Sequence, residues 1–85
     1  MGFEVLSEIS DVETFARGPG VRIRHYLNAT YAGGRLMRWR HCKGVALIKW
    51  LTPLKYGKVE LAEIHWFEAH GIGRVYFTYK KGLER

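Results

Sequence analysis

Lys58-Val59-Glu60-Leu61-Ala62-Glu63-Ile64-His65-Trp66-Phe67-Glu68-Ala69-His70-Gly71-Ile72-Gly73-Arg74 decides the fold. Apolar and polar residues alternate along it, the period of a strand with one buried side, and the glycines at its end mark a hairpin. The alternation changes phase midway. Val59 and Leu61 share one side, while Ile64 and Trp66 would fall on the other. A bulge near Ala62-Glu63 would restore the phase, because one extra residue shifts the pleat. On that expectation Ile64 and Trp66 face the core, and Glu63, His65 and Phe67 share the opposite surface.

Working outward, Arg74 to Lys81 is expected as the next strand. Upstream, Val45-Ala46-Leu47-Ile48-Lys49-Trp50-Leu51 is apolar on both sides, which suits a central strand. Thr52 to Gly57, with Pro53 and Gly57, turns the chain between the two. Arg35 to His41 forms an extended lead-in. Before it, Ile23, Tyr26, Leu27, Thr30 and Tyr31 recur at helical spacing, so one amphipathic helix is expected from Val21 to Tyr31, stopped by Gly33-Gly34. Phe3 to Ile9 reads as a first strand. Ser10 and Glu13 fit a capping box, so residues 11–17 are open between a helical turn and a strand. The expected fold is α+β, with one helix packed on a curved antiparallel sheet of about four strands. A small SH3-like β-barrel is the alternative, favoured if residues 12–16 are a strand.

Eighty-five residues make one domain, residues 1–85, around one modest core. A core of that size is compatible with self-association into a homo-oligomer. The single cysteine, Cys42, leaves no internal disulfide and no paired-cysteine metal or redox motif. The four histidines and Cys42 lack metal-ligand spacing, so neither a metal nor another cofactor is expected. No signal-like start and no long apolar run is present, and a cytoplasmic setting away from membranes is the expectation.

Charge is unevenly spread. Residues 1–20 carry a net −3, residues 21–50 carry seven cations and no acid, and residues 51–85 carry +2. A 30-residue window without an acid favours a polyanionic partner. Arg22, Arg24, Arg35, Arg38, Arg40 and Lys43 are the candidates for phosphate contacts, with Trp39 as a base-stacking candidate. The plainer alternative makes Trp39 a core anchor and the arginines ordinary solvated cations.

The hairpin strand supplies a second kind of candidate. Glu63 and His65 stand two apart on one side, where a carboxylate beside an imidazole can orient it for proton transfer. His70 and Arg74 flank the turn. Together Glu63, His65, His70 and Arg74 would serve a ribonuclease, with Arg74 holding the phosphate. They would equally serve as hydrogen-bonded architecture.

Gly34-Arg35, Trp39-Arg40 and Lys43 to Ala46, followed by Ala62 to Arg74, resemble a group of small bacterial proteins found notably in cyanobacteria, over about residues 18–80. That resemblance implies no catalytic role. In element order alone the chain is similar to toxins of the RelE/ParE/HigB superfamily, which implies a small basic protein acting on mRNA. The leading expectation is a nucleic-acid-binding module, with RNA ahead of DNA. A ribonuclease-type toxin of a toxin–antitoxin pair is the enzymatic alternative, and a module for an acidic protein partner is the third.

Overall fold

The computed structural model describes residues 2–83. Its elements run β1 (Phe3–Val5), β2 (Ser10–Arg17), a 3-10 turn (Gly18–Gly20), α1 (Arg24–Tyr31), β3 (Arg40–Trp50), β4 (Val59–Ala69) and β5 (Gly73–Gly82). β3, β4 and β5 form the antiparallel meander. β1 and β2 both pair antiparallel with β3, at opposite ends of it. One helix therefore rests on a curled antiparallel sheet, an α+β half-barrel. Residues 12–16 are a strand, yet the barrel does not close, because among the described residues β5 pairs only with β4. No helix among the described residues is long and apolar enough to cross a membrane.

Ser10 and Glu13 do not cap a helix. Asp11 takes a positive φ of 53° at a break in the β2–β3 register, and Glu13 reaches Lys43 across the strands at 3.3 Å. The first strand is also shorter than its pattern suggests, ending at Val5.

The central pair, β3 and β4, fixes two faces. Their ladder is unbroken from Arg40 opposite Glu68 to Lys49 opposite Val59. The bulge expected at Ala62-Glu63 is therefore absent from β4, and the register shifts lie in its neighbour. Between Glu63 and Phe67, β5 spends an extra residue twice, once at Lys80 and once in the Tyr76-Phe77 step, where Tyr76 adopts φ 58°. Because β4 keeps its pleat, Val59 and Leu61 stand on the side of Glu63 and His65, and Val59 is left exposed.

The other side of β4 carries Ala62, Ile64 and Trp66, which pack with Phe3, Cys42, Ala46, Ile48 and Trp50. We call this the tryptophan face. Gly44 lies within it, and a Cβ there would collide with Ile9, the Trp66 ring and the Ser10 carbonyl. Glycine is what lets the indole lie flat on the strand. Each end of this core closes on a carboxylate that accepts an indole N–H. Trp50 Nε1 donates to Glu60 at 2.7 Å and Trp66 Nε1 to Glu68 at 2.8 Å. A cation lies over each indole ring, Lys55 on Trp50 at 4.5 Å and Arg74 on Trp66 at 4.9 Å.

α1 builds a smaller core on the opposite side, the helix face, from Val21, Leu27, Ala32, Trp39, Phe67 and Ala69. Its buried stripe differs from the expected one. Tyr26 and Thr30 face solvent, whereas Asn28 is buried. The cause is a hydrogen-bond hub: Asn28 Oδ1 accepts the Trp39 indole N–H at 2.8 Å and the Met37 amide at 3.1 Å. Its carbonyl also accepts the Gly34 amide at 2.8 Å, where Gly33 and Gly34 turn the chain at positive φ. Asn28 thus ties the helix to the segment that leads into β3.

Candidate functional site

The β-ladder registers align four side chains in one row. Arg17 of β2 opposes Arg40 of β3, Arg40 opposes Glu68 of β4, and Glu68 opposes Arg74 of β5. Directly opposed residues share a face, so the row crosses one end of the tryptophan face. Glu68 is its only acid. Its Oε2 takes Arg40 Nη2 at 2.9 Å, and its Oε1 lies 3.6 Å from Arg74 Nε and accepts the Trp66 indole. Burial works to raise the Glu68 carboxyl, but the Trp66 and Arg40 hydrogen bonds and the two guanidinium charges outweigh it and hold it below the ordinary value. Glu68 is therefore ionised at neutral pH and neutralises one cation of the row.

The surplus charge borders a groove of about 540 Å³, lined by Arg17, Gly18, Pro19, Arg38, Trp39 and Arg40. Trp39 contributes to its wall while being 1% exposed. Its indole is spent on Asn28, so the expected stacking role for Trp39 is withdrawn: no ring face is open to a base. The other candidates for phosphate contact divide. Arg24 donates to the Pro19 carbonyl at 2.9 Å and Arg35 to the Ala32 carbonyl at 3.0 Å, so both brace the turns around α1. Lys43 faces Glu13. Arg22 lines a separate hollow with Phe15, His41 and Phe67. Only Arg38 and Arg40 of the expected set meet at the groove, and Arg17 joins them.

The expected acid–base group is split by the sheet. Glu63 and His65 are together on the helix face, with His65 Nε2 3.0 Å from Glu63 Oε2. That hydrogen bond is the main reason the Glu63 carboxyl lies below its ordinary value, ahead of the opposing effect of burial and the pull of Lys43 and Lys81. Arg74 is on the tryptophan face, engaged with Glu68. His70 is exposed in the turn between β4 and β5. A phosphate held by Arg74 would sit across the sheet from His65, so these four residues do not form one constellation.

Another histidine takes the place beside His65. The His41 ring stacks on Phe67 at 4.2 Å, meets Phe15 at 4.1 Å, and lies 5.5 Å from His65. Burial between these rings, and then the neighbouring His65, lower its pKa from 6.5. His41 is neutral at pH 7. The contacts continue from Phe67 to Tyr76 at 5.9 Å and from Tyr76 to Tyr26 at 5.6 Å. A path of five rings, Phe15–His41–Phe67–Tyr76–Tyr26, thus runs over the helix face, and Phe15 and Tyr26 are each half exposed.

Among the described residues, no three His, Cys, Asp or Glu side chains gather as a metal site would require. Cys42 is buried beside Thr14, and burial raises its thiol, so it is not poised as a nucleophile. Comparison with known proteins gives no match: no protein family, no curated protein and no solved structure is significantly similar to the chain.

Proposed function

We propose that the chain is a small RNA-binding module whose phosphate contacts lie in the groove of Arg17, Arg38 and Arg40. The observation that carries this is the in-register row: three arginines align with one carboxylate, which engages Arg40 and Arg74, and Arg38 adds a further cation at the open groove beside it. Guanidinium groups match phosphate oxygens and stay charged at every accessible pH. Glu68 orients Arg40 from one side and leaves the row's excess charge facing outward. The exposed rings on the helix face favour RNA with unpaired bases over duplex DNA, whose bases are stacked away.

Affinity for a short single-stranded RNA should fall steeply with added salt, since each neutralised phosphate releases a counterion. Arg17→Ala or Arg38→Ala should each flatten the slope of log K against log salt by about 0.7, the contribution of one contact on a single strand. Weak binding that is flat across salt would sink the proposal. Binding to an acidic protein with none to RNA would transfer the groove to the third expectation.

A second reading, RNA cleavage, is favoured only by the Glu63–His65 contact with neutral His41 alongside. It predicts cleavage products lost in both His65→Ala and His41→Ala. Intact RNA after prolonged incubation with folded protein would remove it.

A further inference from the structure

The ring path ends in a pocket of about 380 Å³ lined by Tyr26, Tyr31, Tyr76 and Phe77. Its construction is unusual for a sheet edge. Val75 opposes Phe67 and so lies on the helix face, and the next residue of a regular strand would point the other way. The extra residue in the Tyr76-Phe77 step cancels that alternation, letting Phe77 pack with the tryptophan face while Tyr76 turns toward Tyr26 and Phe67. Tyr76 does this at φ 58°, a conformation costly for an aromatic residue and one that tends to be kept where a side chain must be aimed. Tyr76 nevertheless remains 40% exposed. Strain has been accepted to present an aromatic surface, not to bury one.

We propose that this tyrosine pocket receives an unpaired nucleobase of the bound RNA. The inference rests on the RNA-binding reading and adds to it a site for a base. Three phenol rings offer faces for stacking, and their hydroxyls offer donors and acceptors for a base edge. The volume lies within the range of small-ligand sites. Charge decides between the two flat or cationic ligands that tyrosine cages take. α1 and β5, the two elements forming the pocket, contain no acidic residue. A quaternary ammonium would find no carboxylate on either element to balance its charge, whereas a neutral base needs none.

The test pairs RNA binding with titration of a free nucleoside, adenosine or uridine, followed by the ring resonances of Tyr26, Tyr31 and Tyr76. Tyr76→Gly removes the ring while relieving the backbone, so it is expected to fold; Tyr26→Ala removes the facing ring from an exposed helix position. Each should weaken single-stranded RNA binding by about tenfold to a hundredfold, the loss of one stacked base, and leave the salt slope unchanged. Tyr26→Phe should retain most of the affinity. A duplex of the same sequence should bind no better than the variants do. Nucleoside shifts that saturate in the wild type and vanish in Tyr76→Gly support the pocket by themselves. If RNA binds with a steep salt slope but the tyrosine variants match the wild type, the base site is wrong and the arginine groove stands. If nucleosides shift the tyrosines while RNA shows no salt-dependent binding, the groove is wrong and the pocket stands. Shifts with tetramethylammonium and none with nucleosides would overturn the base assignment.

Discussion

The two faces of β4 are built from the same eleven-residue strand and solve opposite problems. On the tryptophan face, Ala62, Ile64 and Trp66 are sealed, and the polar groups at its ends, Glu60 and Glu68, are each committed to an indole and a cation. On the helix face, only Phe67 and Ala69 join the core under α1, and Val59, Leu61, Glu63 and His65 are not fully buried. Packing therefore accounts for the interior of one face, with the arginine row at its end, and leaves the other with exposed aromatic rings. The tyrosine pocket lies where burial is unfinished.

Breaking the sealed face should cost the most. Trp66→Ala removes the largest buried ring of the sheet and strips Glu68 of its indole donor, and a loss of about 3–5 kcal/mol is expected in urea unfolding. That is a large share of the stability of a domain this small. Next comes the hub that links the faces. Asn28→Ala leaves the Trp39 indole and the Met37 amide without their acceptor, for about 2 kcal/mol, with greater hydrogen exchange at residues 35–39. A change at that position far below 1 kcal/mol would show that water replaces the amide and that α1 is held by apolar contacts alone.

The unfinished face should respond to pH more than to truncation. His41 binds its proton less readily in the folded protein than in the unfolded chain, so the unfolded state takes up more protons as pH falls. The stability tied to neutral His41 is present above pH 6.5 and is lost as pH falls through its lower folded value. His41→Phe keeps the stacking partner for Phe67 and should flatten the decline in melting temperature just below pH 6.5. An unchanged profile would mean that the ring titrates freely despite its neighbours. The smallest effect belongs to Glu63→Gln, expected to cost less than about 1 kcal/mol at pH 7, since the pair with His65 is only partly buried and the amide can still accept the imidazole N–H. The ionised Glu63 carboxyl contributes above its unfolded value of 4.5, and that contribution disappears as pH drops through the lower folded value.

The sequence carried the meander clearly. Strand periodicity located β3, β4 and β5 to within a few residues, except that β3 begins earlier than its apolar run, and the helix was evident from its spacing. What escaped was the register. Arg17 sits in an acidic stretch twenty-three residues from Arg40, and nothing local says they are neighbours; only the β2–β3 ladder does. The placement of Arg74 opposite Glu68 was hidden for the same reason, which is why a four-residue motif divided across two faces. The phase change is visible in the β4 sequence, but the residues that absorb it lie in β5. β4 tolerates Val59 in solvent and stays regular, while β5, which among the described residues pairs only with β4, absorbs the extra residues. Trp39 could not be assigned without Asn28, whose buried amide looks like an ordinary polar position on a helix.

Those extra residues in β5 have an effect apart from aiming Tyr76. A ten-residue strand at the rim of a sheet is an open template, on which a foreign strand can dock and seed aggregation. Two irregularities and the Lys80-Lys81 pair interrupt the spacing of its outward amides and carbonyls, so a visiting strand meets no long stretch in step with its own. The deformation that exposes an aromatic ring thus also guards the rim against unwanted pairing. Removing the second irregularity, by deleting Lys80, should raise the rate of fibre formation followed by thioflavin fluorescence while the circular-dichroism spectrum of the fold is kept.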